Sequence, residues 1–124
     1  MGLQFEDLPI YDKKVGLNLP SLVKAYGVTR KVFSEISGIS SSLLSVDKEV
    51  SPETRMKLMA LVSIYSMLWK LCAGDEQIIK RWLNEPKEEY WSLSPVQFMK
   101  IDRENINVVL KNLQSISYGE AMGA

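Results

Sequence analysis

The stretch SPETRMKLMALVSIYSMLWKLCAG, residues 51–74, decides the fold class. Ser51 is a capping side chain, Pro52 suits the first helical position, and Glu53 meets the positive end of the helix dipole. Leu58, Leu61, Val62, Tyr65, Leu68, Trp69 and Cys72 then recur at the spacing of one helix face, and Gly74 supplies a stop. Met56, Met59, Ala60 and Met67 spread apolar surface over a second face. A helix this apolar has to be surrounded, by its own chain or by a second subunit, so the pattern predicts a helical core and a homodimer. The apolar run from Leu58 to Trp69 is bracketed by Lys57 and Lys70 and falls short of the roughly 20 residues of a membrane span.

Helical signals continue on both sides. Upstream, Asn18 to Tyr26 reads as a short helix, with Asn18 at the cap, Pro20 in the first turn and Gly27 as the stop. Thr29 caps a helix carrying Val32, Phe33 and Ile36, Gly38 breaks it, and Ser40 caps a short helix holding Leu43 and Leu44. Helix, glycine turn, short helix is the layout of a helix-turn-helix unit. Residues 1–17 read as an arm held by Leu8, Ile10 and Tyr11. Downstream, Asp75 opens an amphipathic helix with Ile78, Ile79, Trp82 and Leu83 inward, ending near Asn84. A loop from Pro86 to Leu93 carries Tyr90 and Trp91. Ser94-Pro95 repeats the cap-and-proline signal before Phe98 and Met99. Asp102 caps a last helix with Ile106, Val109, Leu110, Leu113 and Ile116 inward and Gly119 at its end. No segment has the alternation of a strand, so the expected fold class is all-α.

The residue inventory removes most chemistry. The chain has no histidine, hence no imidazole base, no histidine metal ligand and no Ser-His or Cys-His pair. Its seven glycines form no phosphate-binding loop. The adjacent acids Asp75-Glu76 and Glu88-Glu89 diverge on a helix and read as solvated faces or helix starts. The expectation is a non-enzyme without cofactor or metal. Cys72 is the single cysteine, which excludes an internal disulfide and reads as a small buried hydrophobe. Fifteen basic residues balance fifteen acidic ones, without the electrostatic footprint of a protein that coats nucleic acid or anionic lipid. The first residues lack the basic and apolar character of a signal peptide, so a soluble, cytoplasmic protein with no membrane partner is expected.

From about Asp75 onward, the ordered spacing of Trp82-Leu83-Asn84, Pro86, Ser94-Pro95 and a last helix closing on Ile116-Ser117-Tyr118-Gly119 resembles the toxin-binding domain of the Xre/MbcA/ParS family of antitoxins. Gly27 to Leu71 is similar to the helix-turn-helix half of that family. Beside the arm read over 1–17, the resemblance implies an Xre-like region over 18–74 and a toxin-binding domain over 75–124. It implies a cognate toxin as partner, with a RES-domain enzyme that degrades NAD as the expected type, neutralised by occlusion of its active site. Carried over residue by residue, Trp82, Leu83 and Pro86 shape the binding lobe, Pro95 starts the helix that frames it, and Tyr118, Gly119 and Glu120 lie nearest the toxin. The family's loop before Ser94-Pro95 is usually glycine-rich, whereas Tyr90-Trp91-Ser92-Leu93 stands here.

Read as residues, Trp82 and Leu83 belong to the apolar side of their helix, and Pro86 and Pro95 are helix punctuation. Tyr90 and Trp91 are the better contact candidates, because adjacent loop aromatics do not both bury easily and such residues anchor interfaces. For DNA, Arg30, Lys31, Lys48, Arg55 and Lys57 offer phosphate contacts, and Ser40, Ser41, Ser42 and Ser45 occupy the recognition position. That helix lacks the Arg, Asn and Gln that read bases in bidentate fashion. An antitoxin that occludes its toxin is the first reading, with autoregulatory DNA binding an optional addition to it; a stand-alone helix-turn-helix regulator with a C-terminal dimerisation lobe is the alternative.

Overall fold

The computed structural model describes residues 8–121, and side chains through residue 116. The fold is all-α, with one small hairpin added. Strands β1 (Tyr11–Asp12) and β2 (Gly16–Leu17) pair antiparallel, Tyr11 opposite Leu17. They precede α1 (Leu19–Ala25), α2 (Arg30–Ser37), α3 (Ser41–Leu44), α4 (Pro52–Leu71), α5 (Glu76–Asn84), a 3-10 turn (Glu88–Tyr90), α6 (Pro95–Ile101) and α7 (Glu104–Ala121). The hairpin corrects the expectation of no strand. Asp12 closes its tip, accepting from the amides of Lys14 at 2.7 Å and Val15 at 3.3 Å, a side-chain turn too short for periodicity to register.

Each helix begins where a capping side chain stands. Asn18, Thr29, Ser40, Ser51 and Ser94 each accept a backbone N–H three residues on, and Asp75 accepts from Gln77 and Ile78. Ser94 and Gln97 form a reciprocal capping box. Asp102 accepts from the Glu104 amide at 2.9 Å as α7 starts. The α4 terminus is a Schellman motif, with the Gly74 amide on the Trp69 carbonyl at 2.8 Å and that of Ala73 on Lys70 at 3.3 Å. Ala73 already enters the left-handed region ahead of Gly74, and the helix ends at Leu71 with Cys72 as its cap.

One buried cluster runs through both halves of the chain. Leu8, Ile10 and Leu17 of the N-terminal segment join Leu22, Tyr26, Phe33 and Ile36, the α4 face Leu58, Leu61, Ile64, Tyr65 and Leu68, and Ile79, Leu83, Phe98, Met99, Val109 and Leu113. Leu8 and Ile10 lie in this core and Tyr11 packs against it, the three residues expected to hold the N-terminal segment. Helix α4 packs most extensively against α7, and α2 packs against α6. Polar ties cross the same divide. The Asn84 amide donates to the Tyr26 carbonyl at 3.0 Å, and Lys100 meets Glu35 at 3.3 Å.

Several inward assignments shift. Ile78 on α5 and Ile116 on α7 are exposed, because the buried arcs centre on Ile79 and Leu83 and on Val109 and Leu113. Met56 and Met59 are exposed, while Ala60 and Met67 pack on the core. The chain's own helices thus cover most of α4, which narrows the motive for a second subunit to those two methionines. Gly119 does not end the last helix, which continues to Ala121. No helix among the described residues is long and apolar enough to cross a membrane.

Candidate functional site

Between α5 and α6 the chain makes a compact loop. The Lys87 amide donates to the Leu93 carbonyl at 3.1 Å, and the Ser92 amide donates to the Lys87 carbonyl at 3.0 Å. Closing so short a loop requires left-handed backbone at two consecutive residues, Trp91 (φ 53°) and Ser92 (φ 65°). Left-handed backbone costs a residue with a Cβ roughly 1–2 kcal/mol. Here a tryptophan and a serine take the conformation that glycine favours.

The turn sends its two aromatics opposite ways. Tyr90 is 1 % exposed, stacked on Phe98 with ring centroids 4.8 Å apart, and its hydroxyl accepts from the Asn112 amide at 3.0 Å. Burial raises the Tyr90 hydroxyl pKa, and the Glu89 charge adds to that while the Asn112 bond opposes it. This corrects the expectation that Tyr90 is a contact residue: it is part of the core. Trp91 is 78 % exposed, its ring resting on Phe98 at 5.8 Å. One turn further along α6, Ile101 is 68 % exposed and shares a shallow depression with Leu93, Gln97 and Lys100. Trp91, in the loop before α6, and Ile101, at the end of α6, are thus two large exposed apolar side chains, while Val96, Phe98 and Met99 are buried.

The other expected site residues distribute as follows. Trp82 is half-buried on α5, with the Lys87 ammonium 4.9 Å from its ring centroid. It lines a cleft of about 320 Å³ with Glu89, Tyr90, Asn112, Ser115 and Ile116. Pro86 is exposed, and Pro95 is buried at the first position of α6. The backbone at Tyr118, Gly119 and Glu120 is helical, and their side chains lie outside the described residues.

No protein-family model and no curated protein matches this chain.

The DNA candidates Arg30, Lys31, Ser40, Ser41, Ser42, Ser45, Lys48, Arg55 and Lys57 are all exposed. Helix α3 is a single turn of four residues, and its serines bond locally. Ser40 Oγ accepts from the Leu43 amide at 3.3 Å, and Ser45 Oγ donates to the Ser42 carbonyl at 2.7 Å. Among the described residues no group of three or more carboxylates or cysteines is placed to hold a metal ion.

Sequence reading passed over Ile101, Asn112 and Ser115, and read Glu89 only as a solvated face or helix start. Ile101 left a trace: it falls on the outward arc with Gln97 and Lys100, where an isoleucine has no core to reach. Asn112 and Ser115 left none, because polar residues on an outward helix face are ordinary and only their position opposite Tyr90 gives them a role.

Proposed function

We propose that the protein is a type II antitoxin that binds a partner toxin through the lobe formed by α5, the 3-10 turn, α6 and α7. The observation that carries this reading is Trp91. An almost fully exposed tryptophan on two left-handed residues costs the isolated chain free energy, and it recovers that cost when a partner buries the ring. Ile101 is a second large exposed apolar side chain in the same lobe. The ordered Trp82, Pro86 and Ser94-Pro95 spacing supports a toxin as that partner, with a NAD-degrading RES-domain enzyme the type to try first. Helix α7, reaching Ala121, is the element to enter the toxin's active site.

The test is co-purification of the full chain with the toxin encoded beside it, comparing wild type, Trp91→Ala and a chain shortened before Tyr118. Trp91→Ala is expected to weaken the complex roughly 30-fold or more, the effect of losing an interfacial hot spot, with helicity unchanged. The shortened chain is expected to bind and fail to neutralise. Full affinity of Trp91→Ala refutes the anchor. No complex, with promoter DNA bound in a steeply salt-dependent manner, supports the stand-alone regulator instead.

A further inference from the structure

We propose that the cleft between α5, the 3-10 turn and α7 receives a guanidinium group, an arginine side chain carried by the partner protein. This deepens the reading of the lobe as a protein-binding surface and rests on it. The cleft is lined by Trp82, Glu89, Tyr90, Asn112, Ser115 and Ile116. One polar contact is already made: the Asn112 amide nitrogen donates one of its two N–H bonds to the Tyr90 hydroxyl at 3.0 Å, and the Asn112 carbonyl oxygen is an acceptor. Glu89 makes no ion pair among the described residues, although its charge acts on the Tyr90 hydroxyl. Glu89 is the one charged residue among the described residues that line the cleft, and the Asn112 carbonyl and Ser115 hydroxyl oxygens add acceptors beside its carboxylate.

The aromatic wall points to the same ligand. The Trp82 ring already draws the Lys87 ammonium to 4.9 Å, so its π surface sits where positive charge is stabilised. A guanidinium is planar and cationic, carries five N–H donors, forks onto carboxylates and stacks on aromatic rings. An anionic ligand would meet Glu89 unpaired. The volume of about 320 Å³ is at the lower end of ligand sites, about 300–1,000 Å³, and suits one side chain. Continuity favours a protein as its source. Tyr90 lines the cleft and stacks on Phe98, which also meets Trp91, so the cleft wall and the exposed tryptophan belong to one aromatic cluster.

The test uses the whole chain and follows the Trp82 indole N–H and the Asn112 side-chain amide by NMR as N-acetyl-arginine amide is added. Saturable shifts at both are expected. Affinity should fall about tenfold for N-acetyl-citrulline amide, the neutral isostere, and about tenfold for Glu89→Gln, the loss expected for one charge-assisted hydrogen bond. Glu89 is exposed, so an unchanged thermal melt is expected for that variant. Absence of saturation, or shifts that neither citrulline nor Glu89→Gln weakens, overturns the proposal. Free arginine binding more tightly than the capped amide overturns the protein source and identifies a small cationic metabolite. The readout needs no partner: a silent cleft in a chain that still captures toxin rejects the cleft alone, and a responsive cleft without toxin capture rejects the antitoxin reading alone.

Discussion

Three buried tyrosines show how differently one residue type is used. The Tyr26 hydroxyl donates to the Leu61 carbonyl, and that of Tyr90 accepts from Asn112, whereas the Tyr65 hydroxyl is buried with no hydrogen-bond partner among the described residues. A buried donor left unmade costs about 1–3 kcal/mol, so Tyr65→Phe is expected to be neutral or to stabilise by up to about 1 kcal/mol. Tyr26→Phe is expected to destabilise by about 1 kcal/mol, both read from urea midpoints. Burial raises all three hydroxyl pKa values, that of Tyr65 to about 12. A raised pKa means the folded state holds its proton longer. Its stabilising contribution is therefore whole below the ordinary value near ~10 and is lost as pH rises through the raised values. Stability is expected to fall from about pH 10 upward, and Tyr65→Phe to flatten part of that alkaline limb. A strongly destabilised Tyr65→Phe would mean that the hydroxyl has found a partner, such as a bound water.

At the scale of the element, the chain ends or turns in left-handed backbone at Ala73, Trp91 and Ser92 as well as at glycines. Ala73 sits where helices commonly place glycine, and the adjacent Gly74 packs against the Trp69 ring. Strain at Trp91 and Ser92 is different, because the Lys87–Leu93 closure imposes it and it presents a side chain to solvent. Ser92→Gly is expected to raise stability by about 0.5–1 kcal/mol in thermal melts while leaving partner affinity unchanged. A loss of stability would show that Ser92 makes a compensating contact. Gly38 is the counter-example: it is left-handed and abuts the Arg103 guanidinium, so a methyl group there meets both strain and a neighbour.

For the molecule as a whole, the boundary near Gly74 separates two sequence patterns that share one core. Leu58, Leu61 and Tyr65 lie in one cluster with Val109 and Leu113, and Asn84 caps the carbonyl of Tyr26 across the same boundary. Removing residues 75–124 uncovers the α4 face that α7 covers. Residues 1–74 alone are therefore expected to show no cooperative unfolding by circular dichroism. A sharp transition in that fragment would establish an autonomous N-terminal domain.

The sequence by itself determined the helices and their starts, because a cap such as Thr29 or Ser94 acts on an amide three residues away and Gly27 or Gly38 acts on its own backbone. It also marked Tyr90-Trp91 as a pair that does not bury together. Which of the two turns inward depended on Phe98 and Asn112, eight and 22 residues further along the chain than Tyr90. The outward turn of Ile78 and Ile116, the hairpin and the acceptor-lined cleft likewise needed the packed core. Contacts between distant segments are decided by the whole set of apolar faces competing for one interior, and no local pattern encodes that outcome.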